Sequence, residues 1–112
     1  MRRPRHMTGI MLAALGALWT SVVCADIPAA RQTQLMHLLT QDCGSCHGLT
    51  RKGGLGPALT QEALTGKPAV MLREVILHGR PGTPMPPWES FMNAQEADWL
   101  VQVLIRGKTD VR

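Results

Sequence analysis

Three chemically specific residues lie within five positions, in the stretch Cys43-Gly44-Ser45-Cys46-His47. Two thiols separated by two residues, with a histidine directly after, form the pattern of c-type haem attachment. The cysteines add across the two vinyl groups of haem as thioethers, and the histidine then sits under the iron as an axial ligand. A thioether is covalent, so the cofactor is not lost by dissociation, which matters where free haem is scarce. Other uses of Cys-x-x-Cys fit less well. A zinc site needs a further ligand pair, and no other pair has suitable spacing. A thioredoxin-type dithiol sits in a strand–turn–helix setting, and no strand pattern precedes Cys43.

A second stretch can supply the other axial ligand: Gly79-Arg80-Pro81-Gly82-Thr83-Pro84-Met85-Pro86-Pro87-Trp88. Methionine in ordinary sequence is core filler. Met85 is instead held between two prolines, in a segment without amphipathic period. The prolines fix φ and lower the entropy of the unfolded loop, which suits presenting one sulfur at a fixed point. Met85 is the predicted sixth ligand of the iron, opposite His47. His78 is the alternative, and its simpler role is that of a cation at a helix C-terminus. Met36, His37, Met71 and Met92 read as packing or solvated positions.

Short helices must position these residues. Residues 29–42 show 3–4 spacing through Leu35, Leu38 and Leu39 and predict a helix whose last turn carries Cys43. Residues 49–59 form a loop with Gly53, Gly54, Gly56 and Pro57, where glycine allows close backbone approach and positive φ. A ligand histidine usually donates its second ring N–H to a carbonyl or carboxylate. The Gly56-Pro57 stretch is a candidate source of that carbonyl, and equally an ordinary turn. Thr60 can cap a short turn ending near Gly66. Pro68 suits the first position of a helix running to His78, apolar enough to be covered on most sides. Asn93 with Glu96 three residues later signals the start of a terminal helix that stops near Gly107, and residues 108–112 read as a frayed tail.

The N-terminus reads as a targeting segment. Arg2, Arg3 and Arg5 precede an apolar run from Ile10 to Val23, and Val23-Cys24-Ala25 offers small residues for a signal peptidase. The expected organisation is a cleaved signal peptide, 1–25, and one haem domain, 26–112, exported to the periplasm. The apolar run is shorter than a bilayer span of roughly 20 residues, and stable membrane insertion is not expected. Of 12 Lys and Arg against 8 Asp and Glu, three arginines leave with the signal. Near-neutral charge in the mature part gives no reason to propose nucleic acid. Haem uses Cys43 and Cys46, so no disulfide is expected. With Trp88, Phe91 and Trp99 as its only aromatic residues, a domain of this size needs haem as the centre of its core.

In this order, the haem motif, Gly-Pro loop, proline-bracketed methionine and terminal helix resemble the class I cytochromes c. The resemblance covers the mature part and implies an all-α fold: three to five helices around one covalent haem c, first and last helices crossing, with His/Met ligation. Gly56-Pro57-Ala58-Leu59 is similar to the family's Gly-Pro-x-Leu and supports the Pro57 carbonyl as partner of His47. More narrowly, the 78–88 stretch resembles small NirC-type cytochromes associated with cytochrome cd nitrite reductase. That likeness implies an electron carrier in denitrification, receiving electrons from a membrane or periplasmic donor and passing them to the reductase. It also implies an alternative, assistance in maturing the reductase's special haem. A haem enzyme would need an open distal position, and Met85 argues against one.

Overall fold

The computed structural model describes residues 26–107. The signal segment 1–25, with Cys24, and the tail 108–112 lie outside the described residues. Those described are helical without strands: α1 (Ala29–Leu38), a π-helical turn (Leu39–Cys43), α2 (Gly44–His47), α3 (Gln61–Leu64), α4 (Ala69–His78) and α5 (Ala94–Arg106). The all-α architecture expected from the sequence is therefore present. None of these helices is long and apolar enough to cross a membrane.

α1 does not end at Cys43 as its periodicity suggested. The backbone stays right-handed through the π-turn and on to His47, so 29–47 is one helical run with a wide turn inserted. Such a turn holds one extra residue and shifts the phase of the helix beyond it. Leu35 and Leu39 therefore keep their places in the core while the haem motif is rotated relative to α1. Ser45 Oγ donates to the Asp42 carbonyl at 2.7 Å and ties α2 back to the wide turn. The run stops at Gly48, whose φ of +88° the next residue types could not adopt cheaply.

Capping chemistry sets the other boundaries. Thr60 Oγ1 accepts from the Ala63 N–H at the start of α3. Pro68 is the residue before α4 rather than its first helical residue, with ψ of 133°, because its fixed φ also suits the extended entry to a helix. At α5, Asn93 and Glu96 form a reciprocal capping box, and Gly107 closes the helix in the left-handed conformation.

Leu35, Leu39, Leu64, Leu77, Met92, Ala97, Leu100, Val103 and Leu104 form one buried cluster, with Leu59, Leu72, Ile76, Trp88 and Trp99 packed on its edge. α5 is the hub and touches α4, α3 and α1. Its inward stripe of Ala97, Leu100, Val101, Val103 and Leu104 is buried while Gln102 and Arg106 face out. α4 is less enclosed than its composition suggested. Leu77 is buried, but Val70 is 59% exposed and Met71 40%. One helix can turn only one stripe toward α5, and the remaining apolar positions of α4 lie outside that contact.

Candidate functional site

Cys43, Cys46 and His47 lie on the π-turn and α2, and two loops carry the other residues singled out by the sequence, each fastened to the end of a helix. The first follows His47. The carbonyls of Cys46 and His47, left without partners at the end of α2, accept from Gly56 N–H (2.8 Å) and Gly53 N–H (2.8 Å). Gly54 donates to the Gly56 carbonyl, and Leu59 donates to Arg51. This folds the loop back across the haem motif. A Cβ on Gly54 would stand 2.6 Å from the Cys46 carbonyl oxygen, and one on Gly56 2.8 Å from the His47 ring. The two glycines are needed for contact, not for turning.

The close approach brings the Pro57 carbonyl oxygen 2.6 Å from His47 Nδ1. A carbonyl only accepts, so Nδ1 must carry the hydrogen. The neutral ring then has its lone pair on Nε2, the atom free to bind a metal. Cys43, at the end of the π-turn, and Cys46, within α2, are half-buried and not joined in a disulfide. Burial, helped by the Asp42 carboxylate, pushes the Cys43 thiol up to about 11. A redox-active dithiol needs the opposite shift, toward thiolate. Among the described residues no group of three or more His, Cys, Asp or Glu side chains could hold a metal ion. Two thiols for the vinyl groups and one oriented imidazole for the iron make a donor set that fits haem.

The second loop holds Met85. Gly79 ends α4 with φ +69° and ψ −167°, a region essentially confined to glycine. Pro81 and Gly82 then occupy the centre of a turn closed by Thr83 N–H to the Arg80 carbonyl (3.1 Å), with Gly82 at φ +77°. These are the positions a type II turn assigns to proline and glycine. The loop is closed by Arg80 N–H donating to the Met85 carbonyl at 3.1 Å. Beyond it, Trp88 N–H donates to the Ile76 and Leu77 carbonyls, and Glu89 N–H to Leu77. The loop thus satisfies the open carbonyls at the end of α4 and is held there by them. Met85 itself is half-buried.

His78 is differently engaged. Its Nε2 lies 3.3 Å from Glu74 and its Nδ1 3.4 Å from Glu89, so both ring nitrogens face carboxylates. Met92 is buried in the core, and Met36 packs on its edge. Trp88 also packs there, its ring 5.5 Å from that of Phe91.

The model of the family described as cytochrome c oxidase, cbb3-type, subunit III matches residues 30–103, which include both loops. Cytochrome c55X of Stutzerimonas stutzeri is 53% identical over 92% of this chain and 93% of its own. The chain belongs to the cytochrome c55X family of c-type cytochromes. Cytochrome c55X of Pseudomonas aeruginosa is 61% identical over 71% of this chain and 67% of its own. The solved structure of the c-type cytochrome NirC superposes with a TM-score of 0.73 at 60% identity, covering 74% of this chain and 98% of that one. Dihydro-heme d1 dehydrogenase of Pseudomonas aeruginosa is 45% identical over 62% of this chain, but the match spans only 14% of that much longer protein. As a c-type cytochrome related to NirC, the protein binds haem c covalently and is an electron-transfer protein rather than an enzyme.

Proposed function

We propose that the protein is a periplasmic one-electron carrier with its haem iron held between His47 and Met85, donating electrons to cytochrome cd nitrite reductase. The observation that carries this reading is the 2.6 Å contact between His47 Nδ1 and the Pro57 carbonyl, which leaves Nε2 as the ligand atom. Cys43 and Cys46 hold the haem through thioethers. When bound, the haem supplies a ferric–ferrous couple that moves one electron. The chain's part is to keep both axial groups in place through that change. Pro57 fixes the tautomer and orientation of the His47 ring, and the turn and prolines around Met85 restrict its backbone in either oxidation state. Methionine as a ligand raises the potential relative to two histidines, which suits a donor to a terminal acceptor.

The test has two parts. The ferric protein at neutral pH should show the weak far-red band of an iron–thioether bond, and the ferrous protein should not bind carbon monoxide without denaturant. Carbon monoxide binding to the native ferrous protein would refute the closed site. Reduced protein mixed with purified nitrite reductase should then be oxidised within turnover times, and a rate no faster than with an unrelated cytochrome would refute the partner.

A second reading has its own support in the relation to dihydro-heme d1 dehydrogenase. Here the cytochrome serves maturation of the reductase's special haem. A Met85-loop variant that still transfers electrons but yields reductase lacking that haem would favour it.

A further inference from the structure

We propose that Arg31 is a positioning residue for Met85: it fastens the helical run that bears Cys43, Cys46 and His47 to the segment that leaves the Met85 loop. The inference rests on the assignment of Met85 as axial ligand and adds the side chain that holds its loop against the other half of the site.

Arg31 lies on α1. Its Nε donates to Glu96 Oε1 at 2.6 Å and its Nη2 to Glu96 Oε2 at 3.0 Å, a two-pronged pair. The same Nη2 donates to the Phe91 carbonyl at 2.6 Å, and Nη1 reaches Gln34. Single ion pairs at a surface contribute little. This one is forked, shares its carboxylate with the capping box of α5, and takes a main-chain acceptor as well. The Glu96 side chain is only 13% exposed.

Both ends of the contact lead to the site through stiff chain. Toward His47, α1, the π-turn and α2 are one helical run. Toward Met85, Phe91 N–H donates to the Trp88 carbonyl and Trp88 N–H to the end of α4, with Pro86 and Pro87 between Trp88 and Met85. Two prolines with fixed φ leave few soft dihedrals to absorb a shift at Phe91 before it reaches Met85. Arg73 supplies the contrast. It joins α4 to α5 through Asp98 at 3.3 Å, has no bond to the Met85 segment, and its partners are both 47% exposed.

The experiment compares ferric holoprotein of the native sequence with Arg31→Gln, Arg31→Lys and Arg73→Gln. Imidazole is titrated against the far-red band, and denaturant unfolding is measured in parallel. Arg31→Gln should bind imidazole about tenfold more tightly, near the lower end of what a charge-assisted hydrogen bond contributes. Arg31→Lys keeps the charge but loses the fork and should show a several-fold increase even if the glutamine variant folds poorly. Arg73→Gln should stay within about twofold of native, whatever its global stability. Imidazole affinities unchanged by either Arg31 variant would overturn the proposal, and so would an equal gain in Arg73→Gln. A native ferric protein with no far-red band would instead refute the Met85 assignment itself, before any variant is made, and this proposal with it.

Discussion

Replacing Gly79 by alanine should release Met85 while leaving the haem attached. Two costs act at this position. With φ +69° and ψ −167°, the backbone occupies a region that a side chain raises by about 1–3 kcal/mol. The added Cβ would also stand 2.6 Å from the Met85 carbonyl oxygen, 2.7 Å from the Pro86 carbonyl carbon and 2.9 Å from the Pro87 nitrogen. All three are main-chain atoms of the loop, so no side-chain rotation can relieve them. The loop must move by several tenths of an ångström or more, and the Arg80–Met85 closure must open. Gly82 provides the control, because its φ is also positive but a Cβ there meets nothing within 4 Å. Gly82→Ala should lose roughly 1–2 kcal/mol from the backbone strain alone and keep the far-red band. Gly79→Ala should lose about 3 kcal/mol or more in denaturant unfolding, lose the band and bind imidazole readily. A Gly79→Ala protein with native band and native imidazole affinity would refute the argument that backbone contact at Gly79 sets the place of Met85.

Other outcomes follow from the same geometry. Gly56→Ala should push the His47 ring off the Pro57 carbonyl, seen as a changed reduction potential with the haem still covalently bound; an unchanged potential would count against the 2.8 Å contact. Glu96 is held below its usual 4.5 chiefly by its hydrogen bonds from Arg31, working against burial. The folded state therefore binds fewer protons than the unfolded chain just below that pH, so this stability is complete above 4.5 and lost as pH falls through the lower folded value. The stability gap between native and Glu96→Gln protein should be constant near neutrality and shrink in acid; a gap independent of pH would refute the linkage. Leu100→Ala, at a 1% exposed core position, should cost about 2–5 kcal/mol in denaturant unfolding.

The Cys43-Gly44-Ser45-Cys46-His47 pattern points to haem by itself because that chemistry is local: thioether attachment and ligation need two thiols and an imidazole at fixed separations along one short helix. Helix ends were legible for the same reason. Thr60, Asn93 with Glu96, and Gly107 act within four residues, and the structure places them at the boundaries their types announce. Reading failed where neighbours distant in sequence decide. The π-turn from Leu39 to Cys43, which starts at the buried Leu39, leaves no pattern in the sequence. No local pattern sets Arg31 apart from the other polar residues of α1, and its bonds to Glu96 and the Phe91 carbonyl come only with the arrival of α5 and the preceding segment beside α1.

The sequence by itself determined the family, the covalent cofactor and the proline-bracketed loop, since each follows from residue type and local spacing. Whether the Gly56-Pro57 stretch was a carbonyl source or an ordinary turn stayed open on spacing alone. The fold of the 48–59 loop onto the carbonyls of Cys46 and His47 brings the Pro57 oxygen to His47. Likewise, proline content announced a stiff segment around Met85, but where that segment sits is set by Gly79 and by the open carbonyls of α4. Those contacts join the end of α4 to residues as far on as Trp88 and Glu89, and residue types alone do not announce which N–H of the loop will meet which open carbonyl.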